Sequence, residues 1–151
     1  MKQQFDTLID LAKRRCDEAA QRLGAVMAQA RDSEYKCGTL AAYRDDYRLR
    51  LDNAIRAGVG AADLRNFQHF LAKLDDAVRQ QSAESAHWRQ TVDTARNLWQ
   101  EEQKRMRSYS TIQERRLDVA QRQAARSEQK QQDEMASRRF AATPDGFALG
   151  H

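Results

Sequence analysis

The chain has 151 residues, of which 32% are charged and 7% aromatic, with one proline and a formal net charge of +4. Alanine, glutamine, arginine, glutamate and leucine dominate, and all of them favour helix. Isoleucine and valine occur singly, not in the β-branched runs that strands need, so a β domain is excluded. Two cysteines are too few for a disulfide scaffold, and no apolar stretch reaches the roughly 18 residues of a membrane span.

The N-terminal stretch MKQQFDTLIDLAKRR carries no extended apolar run, so no secretory leader is expected and the protein is expected in the cytoplasm. Stepping four then three residues from Phe5 meets Ile9, Ala12, Cys16, Ala19, Leu23 and Val26, and continues through Leu40, Tyr47 and Leu51 to Ala54. Ser33 and Arg44 alone break the apolar or small series. Such persistence predicts a coiled-coil seam of a and d positions. Cys16 and Cys37 fall on this seam as small apolar residues, and about 30 Å of helix between them forbids a mutual disulfide.

Gly58 and Gly60 interrupt the helical pattern in RAGVGAA, where glycine in the left-handed conformation predicts a tight helix-to-helix turn. A phosphate-binding loop would need a following Lys-Ser/Thr or a preceding strand, and neither is there. Beyond the turn the stepping gives Leu64, Phe67, Leu71, Leu74, Val78, Gln81, Ser85, Trp88, Val92, Ala95, Trp99, Glu102, Met106 and Tyr109, and then fails at Gln113 and Arg116. Folding the helices back about Val59 sets Leu51 against Phe67, Val26 against Val92, Ala12 against Met106 and Phe5 against Gln113. Trp88 then meets Ala30 and Trp99 meets Ala19, large against small, while Ser33 and Cys37 meet Ser85 and Gln81, so that polar groups find polar partners.

The expected fold is all-α: two long helices forming an antiparallel coiled-coil hairpin, with a helical C-terminal overhang from about Glu114. The expected boundaries are helix 1 over about residues 2–57, a turn at 58–60, helix 2 over about 61–140 and a disordered tail at 141–151, where AATPDGFALGH carries a turn signal and no periodicity.

No residue set points to catalysis, a metal or a cofactor. His69, His87 and His151 have no i, i+4 partner of ligand type, and Ser82, Ser85 and Ser108 sit on helix faces without a pocket-forming scaffold. The protein is therefore read as a non-enzyme. Trp88 and Trp99 are knobs of the seam, not a platform for bases. Tyr43, Phe70 and Ala77 occupy g positions, and in an antiparallel pair the g positions of both helices line one flank. Beside Leu40, Tyr47, Leu74 and Gln81 they predict a contiguous apolar patch, a feature that marks partner sites on soluble proteins. From Lys104 to Arg139 ten basic residues stand against five acidic ones. That excess suits an acidic protein surface, and no nucleic-acid reader motif accompanies it.

The spacing Leu40-x2-Tyr43-x3-Tyr47 on helix 1, Phe70-x3-Leu74-x2-Ala77 on helix 2 and the Gln/Arg/Glu-rich end QQDEMASRR resemble the flagellar export protein FliJ family over Phe5 to Arg139. That family is the stalk component of the type III export ATPase complex. The resemblance implies that Leu40, Tyr43, Tyr47, Phe70, Leu74 and Ala77 contact the export gate protein FlhA. Gln81 stands where the family often has histidine, and Lys36 where it has glutamine. The resemblance further implies that the terminus-bearing end enters the hexameric ring of the ATPase FliI, with Phe5, Arg14, Arg15, Arg105, Arg107, Arg115 and Arg116 as ring-facing residues. Binding of export chaperones, a location peripheral to the inner membrane at the flagellar base, and no insertion into the bilayer also follow from it. On the residues alone, a basic coiled-coil adaptor for nucleic acid or an unrelated assembly stays open, as does the equivalent stalk of a virulence-type secretion system.

Overall fold

A computed structural model describes residues 2–142. It contains two helices, α1 (Lys2–Ala57) and α2 (Ala61–Ala142), and no strand among the described residues. The expected tail lies outside the described residues from 143 onward, while Ala141 and Ala142 are helical.

The two glycines end one helix and begin the next by different means. Gly58 has φ +84°, a left-handed conformation that side chains with a Cβ resist, and its amide donates to the Ile55 carbonyl at 3.2 Å. That bond caps one of the carbonyls the last turn of α1 leaves unpaired. The Gly60 carbonyl accepts from the Leu64 amide at 2.9 Å, the first bond of α2. Asp63 sits in the first turn of α2, where negative charge favours the exposed amides, and Arg56 occupies the last turn of α1.

The chain divides into two compact units, Met1–Met106 and Arg107–His151. In the first, α1 and the beginning of α2 pack antiparallel. Partners fall in α1 as they rise in α2: Tyr47 with Phe67 and Phe70, Arg44 with Asp75, Ser33 with Gln81, Val26 with Val92 and Ala95. Burial follows the heptad seam. Ile9, Ala12, Cys16, Ala19, Val26, Ser33 and Leu51 are buried on α1, and Leu74, Val78, Ser85, Val92 and Ala95 on α2. Around Val26, Val92 and Ala95 the side chains of Leu23, Met27, Ala30 and Trp88 complete the layer, the indole filling the space that alanine leaves. Both cysteines are free thiols, Cys16 buried and Cys37 partly so.

At the polar interruption of the seam, the Gln81 amide donates to Ser33 Oγ at 3.0 Å and lies 3.4 Å from the Ser33 carbonyl. Pairing the two polar residues removes most of the penalty of desolvating either alone. The positions just after d, the e positions, form the other flank, and ion pairs cross it. Arg44 and Arg48 reach Asp75 at 3.8 and 3.5 Å, and Arg89 reaches Glu34 at 3.8 Å.

In the second unit α2 continues without a seam. Tyr109, Ser110 and Gln113 are partly buried, and every residue from 114 to 142 is exposed. Burial thus ends where the heptad pattern of the sequence ends.

Candidate functional site

The aromatic patch rests on the turn-proximal half of the first unit. Tyr47, a seam residue of α1, places its ring centroid 4.7 Å from Phe70 and 5.6 Å from Phe67, both on α2, with tilted ring planes. These are the offset geometries that the aromatic quadrupole favours. Phe70 keeps 39% of its surface exposed and Tyr43 keeps 49%. Leu40, Tyr47 and Ala77 are partly buried, whereas Leu74 is buried at 8% exposure. The accessible face of the patch is therefore Tyr43 and Phe70, the latter packed on Tyr47, and Leu74 is buried beneath the surface.

Arg44 explains its own place in the seam. A charged residue at an a position would be costly if buried whole, but its stem packs while the guanidinium leans out to Asp75 and to Asp45, the latter at 3.2 Å. Asp75 and Arg48, which seam reading passed over, tie the helices on the flank opposite Tyr43. The signal for them was available: opposite charges at e positions of the two helices.

Of the residues set against an ATPase ring, Phe5 is partly buried and Arg14, Arg15 and Arg105 are exposed in the first unit. Arg105 lies 3.7 Å from Glu102 one turn before it. In the second unit Arg107, Arg115 and Arg116 are exposed, and the last two line a shallow groove with Ile112, Val119, Ala120 and Gln123. Among the described residues no group of three His, Cys, Asp or Glu converges on a metal position. No helix is long and apolar enough to cross a membrane.

The comparisons with known proteins give this helical chain a family. The family model described as Flagellar FliJ protein matches residues 1–144. The Flagellar FliJ protein of Escherichia coli (strain K12) is 32% identical over 139 residues, which covers 92% of this chain and 95% of that protein. The Flagellar FliJ protein of Salmonella typhi is 31% identical over 141 residues, covering 93% and 96%. No solved structure matches at a significant level. With the family model spanning nearly the whole chain and both relatives covered almost end to end, the chain belongs to the flagellar FliJ protein family.

Proposed function

We propose that this chain is a non-enzymatic stalk of the flagellar type III export apparatus, linking the hexameric export ATPase FliI to the export gate protein FlhA at the cytoplasmic face of the inner membrane. The observation that carries the reading is the exposure of two large aromatics on one flank, Phe70, whose ring packs on Tyr47, and Tyr43. Large aromatics left exposed but held rigid are what a protein-protein contact uses, because little side-chain entropy is lost on binding. Leu40, Tyr47, Leu74 and Ala77 shape and support that gate contact. The ring contact falls to Phe5, Arg14, Arg15 and Arg105 of the first unit and to Arg107, Arg115 and Arg116 of the second. There cationic side chains steer the stalk toward carboxylates of the ring. Family membership supports the flagellar assignment, and export chaperones are further candidates for the same protein.

The test is a binding experiment with purified protein, the export ATPase hexamer and the cytoplasmic domain of the gate protein. Tyr43→Ala and Phe70→Ala should weaken gate binding and leave ring binding intact, and charge reversal at Arg14 and Arg15 should do the opposite. Strongly salt-dependent binding to duplex DNA with no affinity for the ATPase would overturn the reading in favour of a nucleic-acid adaptor.

A further inference from the structure

The two flanks of the first unit differ in kind. On the e flank, Lys13, Arg48, Arg89 and Arg96 are set against Asp6, Glu34 and Asp75, and ion pairs join the helices. The g positions hold Arg15, Arg22, Lys36, Arg50 and Arg105 against two acids, Asp63 beside the turn and Glu84. Three of these cations pair only along their own helix: Lys36 with Asp32, Arg50 with Asp46 and Arg105 with Glu102. Among the described residues Arg15 and Arg22 have no ion-pair partner. Exposed large apolar residues gather on the same flank, with Leu8 and Leu98 each 45% exposed at g positions in addition to Tyr43 and Phe70.

At Arg22 this flank opens into a groove. Arg22 of α1 and His87, Gln90, Thr91, Thr94, Ala95 and Leu98 of α2 line it. The groove exists because the layer beneath is thin. Ala95, one of its lining residues, is buried and offers only a methyl group where a leucine would have filled the flank outward. Across the same stretch of seam, the e-flank groove at Met27, Ala30 and Val92 is bridged by Arg89 and Glu34. On the e flank an ion pair spans the groove; on the g flank none does, and the groove carries one cation, Arg22, beside the exposed Leu98 and the buried Ala95.

We propose that the groove at Arg22 and Leu98 docks an acidic amphipathic helix from a partner protein, packed as a third strand along the g flank. A coiled-coil strand needs apolar residues to insert beside Leu98 and over Ala95, and complementary charge at its own edges. Here the edge charge is positive and unbalanced, so the partner's edge is glutamate- or aspartate-rich. A second copy of this chain would bring cations against cations, and a basic helix would do the same. The site is separate from the gate patch: about 42 Å of helix lies between Phe70 and Leu98.

The probe is a synthetic helix of about four heptads with leucine at a and d and glutamate at e and g, whose own charge repulsion opposes self-pairing. Binding to the full chain is read by calorimetry and by intrinsic tryptophan fluorescence, to which Trp88 and Trp99, the latter next to Leu98 in sequence, both contribute. Saturable binding is expected, weakened about tenfold or more by Leu98→Glu and by Arg22→Glu, and within about twofold of wild type for Phe70→Ala. Arg22 and Leu98 are exposed, and circular dichroism checks that both variants keep their helicity. No saturable binding, or equal binding of the lysine counterpart of the probe, overturns the proposal. So does sedimentation showing a dimer of this chain that Leu98→Glu converts to monomer, because the flank then belongs to a second copy. Loss of gate binding by Phe70→Ala with the probe still bound leaves both sites standing; loss of the probe alone refutes only this one.

Discussion

Phe70→Ala separates what the ring does inside the hairpin from what it offers a partner. A phenylalanine presents about 200 Å² to solvent when free. At 39% exposure, about 80 Å² stays available to a partner and about 120 Å² is already covered, with Tyr47 among the covering residues at 4.7 Å between ring centroids. At about 25 cal/mol per Å², the covered part is worth about 3 kcal/mol to the hairpin and the exposed part about 2 kcal/mol to a complex. The variant is expected to lose about 2–3 kcal/mol in a urea titration followed by circular dichroism, and about 30-fold in affinity for the gate domain by calorimetry. Phe70→Leu, which keeps most of the apolar area, should lose less in both. An unchanged affinity for a variant still folded at the assay temperature would refute the gate assignment and make the ring a packing residue only. An unchanged urea midpoint would refute the packing argument, because the covered area would then contribute nothing.

Gly58→Ala should cost about 1 kcal/mol, because a Cβ must be held at positive φ, while Gly60→Ala stays within about 0.5 kcal/mol; urea midpoints compare the two. Glu102 has a buried carboxylate oxygen without a hydrogen-bond partner, so Glu102→Leu should raise the thermal midpoint, by about 1–2 kcal/mol in stability. A double-mutant cycle of Ser33→Ala and Gln81→Ala should return a coupling of about 1 kcal/mol; additive losses would mean that their hydrogen bond adds nothing to the fold. One residue inserted beside Gly58 should shift the register of the arms and rotate α2 by about 100°, moving Phe70 from the flank it shares with Tyr43. A midpoint equal to wild type would show that the register is not fixed by the turn.

Heptad spacing was enough to read the seam, because burial in a two-helix pair is a matter of angular position. Every seam residue from Phe5 to Ala54 and from Leu64 to Tyr109 is buried or partly buried, and exposure is continuous from residue 114 to residue 142. The position of the polar stretch was legible for the same reason, but not its pairing: folding about Val59 set Ser33 against Ser85 and Cys37 against Gln81, whereas the long Gln81 side chain reaches along the seam to Ser33. Heptad letters say which way a side chain leaves the helix, but not how far its neighbours cover it. Leu74 and Phe70 both belong to the patch pattern, yet the d position is buried and the g position exposed. Arg44 was visible only as a break in the apolar series, because its reach to Asp75 depends on a long side chain and an e-position acid one helix away. The unpartnered oxygen of Glu102 depends on a rotamer, which no spacing encodes.

The inequality of the flanks is a consequence of where charge was placed, and it governs what can bind without undoing the fold. A partner approaching the e flank would compete with Arg48, Asp75, Arg89 and Glu34 for one another, and would have to replace contacts that hold α1 to α2. A partner approaching the g flank meets Tyr43, Phe70, Leu98 and Arg22, none of which joins the helices through an ion pair. Surface pairs of this kind are each worth at most about 1 kcal/mol, so their removal would not unfold the hairpin. Their loss would, however, offset a large part of what a modest contact gains, since about 1.4 kcal/mol is tenfold in affinity. Binding along the g flank carries no such offset. The same turn and seam therefore give the hairpin, among the described residues, one flank that interhelical ion pairs bridge and one whose ion pairs all stay within a single helix.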